Sequence, residues 1–128
     1  MKKEQKKIFN RCTRLWSEIV KMKAGYKSEY SGQEGLLHAH HLLGKSSYAL
    51  RFDTRGGICL TAGEHKFKAH SDDNYSFVTE LREIVKRREG ENIIEILEMQ
   101  KNRTGARLDV IVLELKQELR DLKLNEKQ

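Results

Sequence analysis

Hydrophobic residues near the start of the chain recur every three or four positions. Such spacing is typical of an amphipathic helix that buries one face. The residues that follow it are Ile8, Phe9, Cys12, Leu15, Trp16, Ile19 and Val20. Glycine commonly ends a helix, so the sequence predicts a first helix that stops at Gly25.

Shorter elements are predicted in the middle of the chain, where seven of the nine glycines lie between residues 25 and 63. Glycine-rich stretches favour turns between short elements. We therefore predict a strand over residues 36–43, a loop over 45–56 and a second strand over 57–60. Thr61 is predicted to cap a helix that runs through Ala69, with Glu64 completing a capping box.

Three further helices are predicted around residues 75–85, 93–99 and 108–122, where apolar residues again follow helical spacing. The last helix could pack on the core or on a helix of a second copy, which would make an oligomer. The predicted fold class is therefore α+β and mostly helical. Residues 1–25 form a basic amphipathic helix, 26–73 a turn-rich unit and 74–128 a helical extension.

The composition narrows the class of protein. A chain of 128 residues, with 38% apolar and 34% charged, suits one small core and not two. No run of eighteen apolar residues could span a membrane, and no apolar signal region is present, so we expect a cytoplasmic protein. The two cysteines form no Cys-x-x-Cys pair, which excludes a disulfide framework and a thiolate zinc site.

The net charge of +6 is concentrated in the first helix. Residues 1–25 carry eight Lys and Arg against Glu4 and Glu18, a balance of +6. Cations gathered on one helix suit a polyanion such as DNA, although an ordinary solvated helix face gives the same pattern. The candidate DNA contacts in this helix are Lys6, Lys7, Arg11 and Arg14.

All five histidines lie between residues 38 and 70. Side chains alternate across a strand, so His38 and His40 would point one way and His41 the other. Neighbouring histidines could then serve different tasks, one binding a metal and the other facing a substrate. His65 would lie in the first turns of the following helix, which a hairpin could bring back against the strand.

The order of these motifs resembles the HNH endonucleases, above all the small phage HNH proteins of the NinG type. The likeness covers residues 26–73 and is carried by His40-His41-Leu42-Leu43-Gly44-Lys45, Leu50-Arg51-Phe52-Asp53, Gly57-Ile58-Cys59-Leu60, His65 and His70. It implies a ββα-metal finger around one divalent cation, flanked here by helices. It also implies a DNA-cutting phage or prophage protein in a bacterial cytoplasm, with no membrane partner.

The resemblance also implies roles for individual residues. His41 matches the general base, and His40, His65 and His70 match the metal ligands; Mg, Mn, Ni and Zn are not distinguished. His70 lies about 140° round an ideal α-helix from His65, so both reach one ion only if the helix ends or bends. The implied ion stabilises charge on the phosphate while His41 takes a proton from water.

Arg51 and Lys45 belong to the loop over the expected phosphate. Arginine suits bidentate phosphate binding, so Arg51 is assigned to catalysis with His41, and Lys45 to DNA binding. An ordinary surface cation is an equally good interpretation of Arg51 and of Lys45.

Two features depart from the family pattern. The cysteines of its structural zinc are replaced by Ser28, Ser31, Thr61 and Glu64, so we expect no second zinc and a finger held by hydrophobic packing and the flanking helices. The motif asparagine, which orients the base or its loop, falls on Gly56.

Gly56 predicts weak activity, because glycine has no side chain to orient His41. Asp53 could fill that role, and Gly56→Asn is predicted to raise cleavage. One alternative is a degenerate module that binds DNA or a protein partner without cutting. Another is a helical adaptor with a structural histidine–metal site.

Overall fold

Helices make up most of residues 1–69 and 75–126, which are the residues described by this computed structural model. The elements are α1 (Lys3–Lys23), β1 (Leu37–His41), α2 (Tyr48–Arg51), a 3₁₀ turn (Thr54–Gly56), β2 (Gly57–Thr61), a π-helix (Glu64–Ala69), α3 (Tyr75–Glu89), α4 (Ile93–Gln100) and α5 (Leu108–Glu126). The prediction of a mostly helical α+β protein is confirmed.

Side-chain caps explain two elements inside the predicted loop. The Ser47 hydroxyl accepts from the Leu50 amide at 3.0 Å and starts α2. The Asp53 carboxylate accepts from the Arg55 amide at 3.0 Å and starts the 3₁₀ turn. Each element is about one turn long, so the hydrophobic pattern could not reveal it.

The helix after β2 differs from the prediction in its hydrogen bonding. The capping box forms as expected, since the Thr61 amide donates to Glu64 Oε1 at 2.9 Å and the Glu64 amide donates to Thr61 Oγ1 at 3.1 Å. The segment Glu64–Ala69 is nevertheless a π-helix and not an α-helix. Its backbone bonds therefore join residues five apart, and π-turns of this kind occur often at functional sites.

The sheet is an antiparallel pair in which Leu37 lies opposite Thr61 and His41 opposite Gly57. Side chains alternate across the strand, and the observed contacts follow that rule. The His41 ring packs on α1, while the His38 and His40 rings lie against His65 of the π-helix. The predicted division of the histidines between two faces is confirmed.

Two hydrophobic clusters cover the hairpin. The first joins α1 and α5 to one face and contains Cys12, Trp16, Ile19, Val20, Leu37, Phe52, Cys59, Leu108 and Leu115. The second joins α3 and α4 to the other and contains Leu50, Ile58, Leu60, Phe77, Leu81, Val85, Ile93 and Leu97. None of the described helices is long and apolar enough to cross a membrane.

Gly57 allows α1 to approach the hairpin closely. A β-carbon at this position would lie 2.4 Å from Val20 Cγ2 and 2.8 Å from Trp16 Cζ2. Only glycine leaves room for both side chains, because real β-carbons do not approach other atoms so closely. Since Gly57 is the register partner of His41, the close packing brings Trp16 to the strand end where His41 lies.

Candidate functional site

His41 lies at the end of β1, where two groups hold its ring. The imidazole is stacked on the Trp16 indole, with ring centres 3.9 Å apart and planes 5° from parallel. His41 Nε2 lies 3.0 Å from the backbone oxygen of Arg51. A carbonyl oxygen can only accept, so Nε2 carries the hydrogen and Nδ1 is the unprotonated nitrogen of the neutral ring.

The surroundings of His41 keep the ring neutral. The pKa of His41 is lowered to about 4, mainly by burial of the ring. The hydrogen bond to Arg51 opposes this effect, whereas the charges of Lys45, Arg51 and His65 contribute to it. The imidazole is therefore neutral at physiological pH, as a general base must be, and lies where an anion would be attracted.

Three histidines meet on the opposite face of the hairpin. His38 Nδ1 lies 3.0 Å from His65 Nδ1, so one ring donates a hydrogen bond to the other. The ring centre of His65 lies 5.0 Å from that of His40 and 5.2 Å from that of His38. Two imidazoles on one tetrahedral ion, with bonds of about 2.0–2.1 Å, have centres roughly 5 Å apart. The distances of His65 from both His40 and His38 are of this size, and the His38–His65 pair is also joined by a direct hydrogen bond.

A complete metal site is not formed by the described part of the chain alone. Within residues 1–69 and 75–126, no group of three or more His, Cys, Asp or Glu side chains is arranged to hold a metal ion. The third ligand predicted from the resemblance, His70, lies outside the described residues.

The four positions that the resemblance matches to zinc-binding cysteines come together in space. The Ser28 hydroxyl donates to Glu64 Oε1 at 2.6 Å, and the same oxygen accepts from the Thr61 amide. Ser28 Oγ also accepts from the amides of Tyr30 and Ser31, both at 3.1 Å. Hydrophobic packing is therefore supplemented by a hydrogen-bonded group centred on the buried Ser28 and Glu64. We call it the Glu64 cluster: Ser28, Ser31, Thr61 and Glu64.

The Glu64 carboxylate stays ionised within this cluster. Burial by itself raises its pKa, but hydrogen bonds from Ser28, Ser31 and Thr61 outweigh burial and bring the pKa below the usual value. Hydrogen bonds to an ionised acceptor favour the charged form. The cluster thus joins the loop before β1 to the turn after β2 through one carboxylate.

Gly56 has a different environment from the one that the motif predicts. A β-carbon there would lie 3.4 Å from Leu97 Cδ2, inside the second hydrophobic cluster. A side chain at residue 56 would therefore start toward α4 and away from His41, which lies on the α1 face. Gly56 lies in the 3₁₀ turn, and its φ angle is not positive.

The hydrogen bonds that the Asp53 carboxylate makes are to residues other than His41. Its carboxylate binds Arg55 in a bidentate pair, with distances of 3.0 and 2.7 Å, and accepts from Gln100 at 3.3 Å. Its backbone oxygen accepts from Trp16 Nε1 at 3.2 Å. The group that hydrogen-bonds His41 is instead the carbonyl of Arg51.

The predicted phosphate-binding cations lie in two settings. The Arg51 guanidinium is half-buried over the Phe9 ring, 4.6 Å from its centre, while Lys45 is exposed in the turn after β1. On α1, the four candidate DNA contacts Lys6, Lys7, Arg11 and Arg14 are all exposed. The same helix contacts His41 through Trp16, so the element that carries these cations also packs on this histidine.

Sequence reasoning assigns no role to two residues that contact the site directly. His38 lies on the His40 face, as predicted, and its ring is hydrogen-bonded to His65. Trp16 is a core residue with 2% exposure, as its helical spacing predicts, and its indole also covers His41. Helical spacing identifies the buried face of α1 but carries no signal for a contact 25 positions away.

The chain matches no family model, no curated protein and no solved structure. Its function is therefore inferred from the histidines, their contacts and the charges around them.

Proposed function

We propose that the protein is a metal-dependent DNA endonuclease or nickase of the HNH type, with a ββα-metal finger at residues 26–73. The observation that carries the proposal is that two adjacent histidines lie on opposite faces of β1, in different surroundings. His41 is held neutral with Nδ1 unprotonated, while His40 lies on the other face beside His65. A hydrolase of this kind needs one histidine to move a proton and others to bind a cation.

His41 acts as the general base. Its Nε2–H stays on the Arg51 carbonyl, so Nδ1 accepts the proton from the attacking water. Lys45 and Arg51 bring positive charge to the same place and attract the phosphate. The cost of the low pKa is a weaker base, and its benefit is that no proton has to be lost before the reaction.

The cation would be held by His40 and His65, with His70 as a further ligand. Imidazole nitrogens suit Zn, Ni and other transition ions, so the donor chemistry fits a single divalent cation. When bound, the ion supplies stabilisation of the negative charge that develops on the phosphate oxygens. His38 contacts His65 and would help to orient its ring.

The Glu64 cluster supports the finger assignment. The resemblance places two pairs of zinc-binding cysteines at residues 28, 31, 61 and 64. Ser28 and Glu64, 36 positions apart, are in direct contact, and Thr61 and Ser31 adjoin them. Residues that match a joined set in the family are thus joined here by hydrogen bonds.

A second candidate is a module that binds DNA through α1 without cutting it. The observation that favours it is the partial donor set, since the residues described provide no complete metal site. The exposed cations of α1 serve this function equally well.

A plasmid-nicking assay distinguishes the two candidates. Supercoiled plasmid is incubated with the protein and Mg, Mn, Ni or Zn, beside His41→Ala and an EDTA control. The endonuclease proposal expects nicking that needs an ion and that falls roughly 10²–10⁴-fold in His41→Ala, the usual span for a positioned base. DNA binding with no nicking in any ion would support the non-cleaving module.

A further inference from the structure

The Trp16 side chain is fixed independently of the ring that it covers. It is 2% exposed, and its Nε1–H donates to the Asp53 carbonyl at 3.2 Å. Its Cζ2 edge occupies the space that Gly57 leaves open. The indole is therefore a rigid surface whose position is set by the 3₁₀ turn, β2 and the first hydrophobic cluster.

A hydrogen bond alone does not fix the His41 ring. The Arg51 carbonyl restrains one atom, Nε2, and leaves the ring plane free to tilt about that contact. The indole lies 5° from parallel at 3.9 Å, so it fixes the plane itself. Together the two contacts determine the direction in which Nδ1 points.

We propose that Trp16 is a positioning residue for His41, and that its indole face does the orienting that the resemblance assigns to the motif asparagine. Gly56 cannot do so, since a side chain there would start toward Leu97. The role of this contact in catalysis rests on the proposed endonuclease function, whereas the orientation of the His41 ring can be measured without cleavage. The base is then held by α1, outside the hairpin that carries it.

Three variants test this inference. Trp16→Phe keeps a flat ring and removes the indole N–H, and Trp16→Leu keeps apolar volume without a flat face. Ile19→Ala is the matched control, because Ile19 is also fully buried on α1 but belongs to the next turn. Circular dichroism checks that each variant folds.

Long-range ¹H–¹⁵N NMR at neutral pH measures the state of the His41 ring, with His41→Gln used for assignment. The parent should show protonated Nε2, unprotonated Nδ1 and ring protons shifted upfield by the indole. Trp16→Phe and Ile19→Ala should keep the single tautomer, whereas Trp16→Leu should lose the upfield shift and show both tautomers.

In nicking assays, Trp16→Leu should lower kcat by about 10²-fold with unchanged KM. This is the scale expected for a base misplaced by about 1 Å. Trp16→Phe should recover most of that loss.

Several results would overturn the inference. One is a folded Trp16→Leu protein with the parent's His41 tautomer and kcat; another is an Ile19→Ala protein with the same losses as Trp16→Leu. If Trp16→Leu does not fold, the parent spectrum decides, because His41 protons without an upfield shift exclude the stack. A parent that cuts in no ion contradicts the endonuclease proposal, while the NMR result still decides the role of Trp16.

Discussion

The Ser28 hydroxyl donates a 2.6 Å hydrogen bond to the Glu64 carboxylate, although the two residues are 36 positions apart. The same carboxylate completes the capping box with Thr61. The loop that leads into β1 is thereby joined to the turn that leaves β2. A single ionised group thus closes the hairpin at the end opposite His41, where Leu37 pairs with Thr61.

Glu64→Gln is expected to destabilise the protein in a pH-dependent way. At pH 7 the free energy of unfolding should fall by about 1–3 kcal/mol, because hydrogen bonds to a charged acceptor are replaced by weaker ones. The pKa of Glu64 is lowered in the folded protein, so its contribution is complete above the unfolded pKa of about 4.3 and is lost as pH falls through the folded value.

Urea denaturation at pH 7 and near pH 3 measures this effect. The difference between parent and Glu64→Gln should be smaller near pH 3 than at pH 7. Glu34→Gln is the control, since Glu34 is exposed and its ion pair with Lys27 is 3.9 Å long. An equal difference at both pH values would show that the carboxylate charge is not what stabilises the cluster.

Removing charge from α1 should weaken DNA binding and flatten its salt dependence. The variant replaces Lys6, Lys7, Arg11 and Arg14 with glutamine. Each lost phosphate contact should lower the slope of log K against log salt by about 0.9, because fewer counterions are released. Fluorescence anisotropy with duplex DNA at several salt concentrations gives the slope. A control with Arg120→Gln and Lys123→Gln, both exposed on α5, should keep the parent slope; the reverse outcome would place DNA on α5.

Divalent metal binding should depend on His40 and His65. Isothermal titration with Zn or Ni is expected to show one site in the parent and none when both residues are alanine. His38→Ala should bind about 10–100-fold more weakly, because its contact with His65 orients that ring. Tight binding that survives in the His40→Ala, His65→Ala double variant would put the metal elsewhere.

The structure reverses the expectation for Gly56→Asn. An asparagine at this position would place its amide in the apolar cluster next to Leu97, so it should lower stability by roughly 1–3 kcal/mol without raising cleavage. Gly56→Ala tests the space alone, and at 3.4 Å from Leu97 it should cost less than the asparagine. Thermal unfolding and nicking rates of both variants check this. A stable Gly56→Asn protein that cuts faster would restore the original expectation.

Long periodic segments and alternating strands were predictable from the sequence. The repeat in α1 and the opposite directions of His40 and His41 follow from backbone geometry alone, and the Thr61–Glu64 box follows from local hydrogen bonding. The π-helix was not predictable, because six residues are too few to separate one helical period from another.

Contacts between distant segments could not be predicted from the sequence pattern either. The stack of Trp16 on His41 depends on how closely α1 approaches β2, which the absence of a β-carbon at Gly57 determines. The Ser28–Glu64 bond depends on the register of the hairpin. Both are products of tertiary packing, which overrides local preference at single positions.

Gly57 has an evolutionary consequence under the proposed function. Its φ of −94° and ψ of 145° are open to any residue, so only the missing volume requires glycine there. A single-nucleotide change in its codon gives alanine, whose methyl group would push α1 and Trp16 away from the hairpin. The exposed cations of α1 and the histidines of β1 would remain, but His41 would lose the surface that orients it. A single codon change would then convert a protein that cuts DNA into one that only binds it.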